Sequence, residues 1–290
     1  MQINRVCNRV GRGIFRLFVW VLILPFWGQL PATAQVQEPS LEVQANGQIA
    51  VWTRSALLQK AVSIKLEKDT AYQRPMVFRA VPLTLLLPEL KGVETVQFVA
   101  LDGFVANISG AVLAGKGKPY LAIEDPAEVW PSLKPEQTTA NAKPITAGPF
   151  YLVWLDPKAG EIVSEQWPYQ VAQIKVVLPL TARFPQILPK SMLASQQNQA
   201  IRGLDVFLKN CAVCHTVNGG GDAALGPDLN LPVNPTEYFQ LKYLRQLIRQ
   251  PSSVRTWKQS AMPGFDQESI SERDMDNLIL YLKQMAKQRQ

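Results

Sequence analysis

The sequence predicts two domains: a β-rich α+β domain over residues 35–185 and a small all-α domain over residues 197–290, with an export signal in front of them. Three observations lead to this. Short strand-like runs recur through the first half, helical periodicity takes over after residue 197, and residues 1–34 have a composition unlike either. With 290 residues, 47% of them hydrophobic and 18% charged, the chain suits two modest globular domains. A collagen, a low-complexity chain and a polytopic membrane protein are excluded.

Residues 1–34 hold Arg5, Arg9, Arg12 and Arg16 and no acid, then an apolar run from Leu17 to Trp27 broken by Pro25. Ala32-Thr33-Ala34 follows, with small side chains where a signal peptidase reads them. Basic region, short apolar region and A-x-A site in this order describe a secretory signal over residues 1–34, and a bacterial periplasmic destination. The apolar run spans only about 16 Å as a helix, against roughly 30 Å of hydrocarbon. A membrane-bound form would need an uncleaved, tilted signal that recruits Ile14 and Phe15. Cys7 leaves with a cleaved signal. More than half of the formal charge of +7 leaves too, and the remainder is no electrostatic footprint for nucleic acid.

In residues 35–185 the strand-like runs are Leu41–Val43, Val62–Leu66, Thr95–Ala100, Phe104–Ile108, Tyr120–Ile123, Phe150–Leu155 and Val171–Val177. Ser55–Ala61 and Leu83–Leu87 read as short helices, the second closed by Pro88. This region has no Cys and no His, and no H-x-x-x-H, G-x-S-x-G or G-x-G-x-x-G. Phe184-Pro185 to Gln199, with Pro189 and a polar run from Ser195, reads as an exposed connection, and the linker is set at 186–196.

The remaining cysteines and the single histidine fall together in Cys211-Ala212-Val213-Cys214-His215. C-x-x-C-H is the c-type haem attachment motif. Two thiols on one helical turn can add to the vinyl groups of one porphyrin edge, and the adjacent imidazole then sits over the iron. A thioredoxin-type disulfide would need a preceding strand, whereas Ala200, Leu204, Phe207, Leu208 and Cys211 carry a helical stripe into the motif. A zinc site would need a fourth ligand, and no other Cys or His is present beyond residue 34.

Without a second histidine, methionine is the natural sixth ligand. Met275 and Met285 lie on or beside an apolar stripe, Met192 lies in the linker and Met76 in the first domain. Met262 sits in the loop Gln259-Ser260-Ala261-Met262-Pro263-Gly264-Phe265, where the following proline stiffens the backbone. A Gly-rich loop, Gly219-Gly220-Gly221 to Gly226-Pro227-Asp228-Leu229, lacks the end of a phosphate loop. A second helix starts at Asn234-Pro235, buries Leu241, Leu244, Leu247 and Ile248, and stops before Pro251. The last helix opens with a capping box, Ser269 to Glu272, and buries Met275, Leu278, Ile279 and Leu282.

With these features, residues 197–290 resemble a class I c-type cytochrome domain, all-α and carrying one haem c. The resemblance implies thioethers at Cys211 and Cys214, an axial pair His215 and Met262, and a Pro227 carbonyl that accepts a hydrogen bond from the other nitrogen of His215. In the first domain Arg79–Leu87, Ala100-Leu101-Asp102-Gly103-Phe104 and Gly148–Val153 resemble, in order and spacing, the molybdopterin-binding domain of the sulfite oxidase family. That family ligates molybdenum through a cysteine, and this region has none, which argues against molybdopterin chemistry.

Two functions follow as expectations. The leading one is a periplasmic electron carrier whose first domain docks it to a redox partner, a dehydrogenase or a terminal oxidase chain. The alternative is a haem-containing oxidoreductase subunit whose first domain binds a small oxidisable substrate or a pterin.

Overall fold

A computed structural model describes residues 38–90, 92–135, 144–190, 194–256 and 262–289. The proposed signal, Cys7 and Met192 lie outside the described residues. No helix among those described is long and apolar enough to cross a membrane.

The first half is a sheet-rich domain, as its strand-like runs predict. Its elements are β1 (Ser40–Ala45), β2 (Gln48–Thr53), α1 (Arg54–Leu58), β3 (Val62–Leu66), β4 (Met76–Pro82), β5 (Thr95–Ala100), β6 (Val105–Ser109), α2 (Gly110–Leu113), β7 (Pro119–Ile123), β8 (Phe150–Trp154) and β9 (Val171–Val177). They form a five-stranded sheet, ordered β2-β1-β9-β5-β6, and a four-stranded antiparallel sheet, β3-β4-β7-β8. In the larger sheet only β1 and β9 run parallel. One apolar core joins both sheets, with Leu41, Phe78, Phe98, Ile108, Leu121, Tyr151, Trp154 and Ile174 buried in it.

Two strands are absent from the list of strand-like runs. The hairpin β1–β2 turns on Asn46-Gly47, both with positive φ (51° and 73°), the two-residue geometry that matches strand twist. Strand β2 is hidden from a burial-based reading because Ile49 and Val51 point to solvent. Strand β4 alternates buried Met76, Phe78 and Ala80 with exposed Val77 and Arg79. The helix expected at Leu83–Leu87 is a single 3-10 turn over Leu83–Leu85. The helix expected at Ser55–Ala61 is α1, shifted forward because the Thr53 hydroxyl accepts from the Ala56 N–H (3.3 Å) and caps it.

The second half is helical: α3 (Leu180–Arg183), α4 (Ala194–Asn210), α5 (Pro235–Tyr238), α6 (Leu241–Arg249), α7 (Pro251–Val254) and α8 (Glu272–Ala286). Helices α4 and α8 cross at Gly203, where an added Cβ would sit 2.1 Å from the Asn277 carbonyl oxygen. Beside the crossing, the Phe207 and Tyr281 rings pack at a tilt of 37° with centroids 5.6 Å apart.

Three expectations change here. The helix proposed from Asn234 is two helices, broken where Phe239 turns extended (φ −93°, ψ 138°) and packs on the second core. That break leaves Leu241 exposed and Leu247 half-buried, so only Leu244 and Ile248 of the expected four are buried. The cap of α8 is Ser271, whose hydroxyl accepts from the Asp274 N–H (3.1 Å), rather than Ser269. Glu272 is thereby free to pair with Arg245 and Arg249.

Part of the segment proposed as an exposed linker is packed, although Pro185, Lys190 and residues 196–198 are exposed. Ile187 is buried in the second core, with Phe184 and Leu188 against it. The Tyr281 hydroxyl donates to the Ile187 carbonyl (2.9 Å), and the Gln284 amide to that of Lys190 (2.7 Å). The proline and glutamine content that suggests a solvated connection conceals this apolar spacing.

Candidate functional site

The C-x-x-C-H motif continues the last turn of α4. The Cys211 N–H donates to the Phe207 carbonyl (2.8 Å), and the His215 N–H to that of Cys211 (2.8 Å). Both thiols and the imidazole therefore follow one helical end whose stripe, Ala200, Leu204 and Phe207, is buried. Cys211 and Cys214 are half-buried and unbonded to each other. Burial, chiefly, pushes the Cys211 thiol up to about 12 and the Cys214 thiol up to about 11, with nearby carboxylates adding to both.

His215 Nδ1 lies 2.7 Å from the Pro227 carbonyl oxygen. A carbonyl only accepts, so Nδ1 carries the hydrogen and Nε2 keeps its lone pair. Burial lowers the pKa of the ring, opposed by the Pro227 carbonyl and by Asp228. The result is a neutral imidazole of one tautomer, the form a metal takes as ligand. Gly226 lies flat against that ring, where a Cβ would be 2.3 Å from Cε1. The Gly226 N–H also donates to the Cys214 carbonyl (2.8 Å), so loop and motif are tied directly.

Pro227 is held in place by its neighbour. The Asp228 carboxylate accepts from the N–H groups of Gly219 (2.7 Å), Asn230 (2.7 Å) and Leu231 (2.8 Å), and from the Thr216 hydroxyl (2.9 Å). Burial alone would raise its pKa, but these donors together bring it below the ordinary 3.8. Gly219 meets the carboxylate with φ +68°, a conformation that suits glycine.

A depressed carboxylate stabilises the fold above its unfolded pKa, and that stability is lost as pH falls through the lower folded value. Asp228→Ala is accordingly expected to cost about 2 kcal/mol at pH 7, since water replaces some of the donors' partners at this half-exposed site. The gap between wild type and variant should shrink below about pH 4, which urea melts at pH 7 and pH 3 will measure.

Behind the loop lies a polar ladder that the sequence reading did not find. Asn218, Asn230 and Asn234 are all buried. Asn230 Nδ2 donates to Asn218 Oδ1 (2.6 Å) and to the Met285 carbonyl (2.8 Å). Asn234 Nδ2 donates to Asn230 Oδ1 (2.8 Å) and to the Leu282 carbonyl (3.0 Å). The ladder thus binds the Gly-rich loop to carbonyls in the last turns of α8. Three asparagines in a Gly/Pro-rich stretch were the available signal, read only at Asn234 as a helix cap.

Met262 is half-buried and packs against the second core. Its loop is pinned to the end of α6: the Phe265 N–H donates to the Ile248 carbonyl (3.0 Å), and the Arg249 guanidinium to the carbonyls of Phe265, Asp266 and Ile270. Residues 257–261, which precede Met262, lie outside the described residues.

A helix end that delivers two unpaired thiols and then a tautomer-fixed imidazole is the arrangement of a c-type haem attachment turn. The cytochrome c family model matches residues 200–286, and this part of the chain is a cytochrome c domain, the kind that carries covalently bound haem c. Among curated proteins, the chain is similar to the cytochrome c subunit of a quinone alcohol dehydrogenase from Gluconacetobacter polyoxogenes and to its counterpart from Komagataeibacter europaeus. Each is 32% identical over 100 residues, which is 32% of this chain and 20% of the relative. The chain therefore spans about a fifth of the length of those relatives. Both findings support a haem-carrying, electron-transfer role for residues 200–286.

The donor set fits the group. Haem c needs two thiols on one turn and a neutral nitrogen ligand beside them, and the end of α4 offers these with no competing disulfide.

Proposed function

We propose that the chain is an exported, periplasmic electron carrier whose haem is joined to Cys211 and Cys214 and whose iron is held by His215 and Met262. The observation that carries this reading is the His215 imidazole, fixed by Pro227 with Nε2 free at the end of the helix that bears both thiols. When bound, such a group supplies one-electron transfer, and filling both axial positions with His and Met favours transfer over oxygen binding. The chain's own residues do the rest: Pro227 orients the imidazole, Asp228 holds Pro227, and Arg249 holds the loop of Met262. The partner is a dehydrogenase, a reading supported by the subunits to which the domain is similar.

A reduced-minus-oxidised spectrum of the purified protein is expected to show sharp c-type haem bands that survive acid-acetone extraction. Cys211→Ala with Cys214→Ala should lose the covalent haem, and Met262→Ala should lose the low-spin spectrum while keeping the haem attached. Bands unchanged in Met262→Ala would remove that residue from the ligand pair.

A second reading gives the first domain a substrate. It contains a cleft of about 600 Å³ lined by Pro82, Thr84, Leu90, Leu113, Lys118 and Tyr120, among others. A small oxidisable compound or a pterin bound there would make the chain an oxidoreductase subunit. Metal analysis of holoprotein separates the two, since iron alone at one per chain favours the carrier and stoichiometric molybdenum the subunit.

A further inference from the structure

The face of the C-x-x-C-H motif that carries Val213 is covered by the first domain. Strand β6 is one of the two edges of the five-stranded sheet, paired on one side only, with β5. Its outward Val105 N–H donates to the Val213 carbonyl (3.1 Å), so the motif takes the place of the next strand at that point. The Val213 side chain is 5% exposed and belongs to the core of the first domain, and Cys214 packs against the same core. A second tie lies further along β6. Arg183 pairs with Asp222 (2.5 Å), and the Asn107 side chain joins both, donating to Asp222 (3.3 Å) and accepting from Arg183 (3.2 Å). The ion pair is about four-fifths buried at both ends, so solvent screens it little.

We propose that the first domain is a fixed cover over the Val213 face of the haem-attachment turn, which closes that face to water and to redox partners and leaves electron exchange to the rest of the haem domain. This rests on the haem reading for its function, though the cover itself stands on the contacts alone. It replaces the image of two domains on a linker with a single redox unit. One of the edge strands of the domain expected to dock a partner is already engaged by this chain.

Hydrogen exchange on the purified wild type tests the cover whether or not haem is bound. The Val105 amide should exchange within about tenfold of the Ile174 amide of central strand β9, because both would open only with the core. Faster exchange than that overturns the proposal. In the holoprotein, heat unfolding followed by tryptophan fluorescence and by haem absorbance should give one coincident transition, and two separated transitions would overturn it. The double variant Asn107→Ala/Arg183→Ala, which leaves the haem-attachment motif itself unchanged, should shift the midpoint potential to more negative values as water reaches the covered side. An unchanged potential would show that the cover does not set the haem environment. Absence of haem bands would instead count against the proposed function and leave the exchange result standing.

Discussion

Replacing Gly203 by alanine is expected to destabilise the haem domain by about 3 kcal/mol, although alanine is the better helix former. In an exposed helix the substitution would gain about 1 kcal/mol. Here the new Cβ would lie 2.1 Å from the Asn277 carbonyl oxygen and 2.7 Å from the Tyr281 Cβ. Neither is the far end of a flexible side chain, so the helices must separate. Separation is opposed by the packing of both helices: Ala200, Met275 and Leu278 are buried and the Phe207 ring packs against Tyr281. Moving α4 also moves the motif at its end, so the damage reaches the site without touching it. A denaturant melt of Gly203→Ala should show the lowered midpoint, and Arg202→Ala, at an exposed neighbour, should stay within about 0.5 kcal/mol of wild type. Equal midpoints for the two variants would mean that the crossing is looser than its geometry.

Asn230→Ala is expected to cost about 3 kcal/mol, because it removes three buried hydrogen bonds at once and leaves Asn218 Oδ1 without its donor. Asn230 is fully buried, donates to Asn218 and to the Met285 carbonyl, and accepts from Asn234. Rotating the Asn218 amide cannot rescue the ladder, since its Nδ2 is committed to the carbonyls of Gln186 and Gln288. Asn230→Asp should behave differently with pH. Its carboxylate would face two acceptors, so its folded pKa should rise above the unfolded value near 3.9. Stability conferred by the neutral acid is present below that unfolded value and is lost as pH rises through the folded one. The aspartate variant should therefore lose stability from acid to neutral pH, while the alanine variant shows no such added slope. Urea melts at pH 4 and pH 7 distinguish them.

The two halves of the chain were unequally legible. In the second, helix starts and stops are local: Pro235 at a first position, Pro251 after an end, and an apolar stripe on α8 whose members are all buried. In the first, Val62–Leu66, Thr95–Ala100 and Val171–Val177 coincide with strands because each is rich in β-branched residues. Strand β2 escaped because its apolar side chains face solvent, and β4 because Arg79 and the bracketing prolines mask its alternation. The asparagine ladder escaped for a different reason. An asparagine in a loop is by default a turn residue, and only its tertiary partners make it a core residue.

What the sequence determined by itself is the chemistry. Two thiols and one imidazole stand in five consecutive residues, and a helix is the structure that turns such a spacing into one reactive surface. Local rules sufficed there because every group lies within about one helical turn. What only the tertiary structure decided is the company those groups keep. Gly203 against Asn277, Asn230 against Met285 and Val105 against Val213 join residues 55 to 108 positions apart. No periodicity or propensity reports such pairs, because burial and close approach depend on how two distant elements pack.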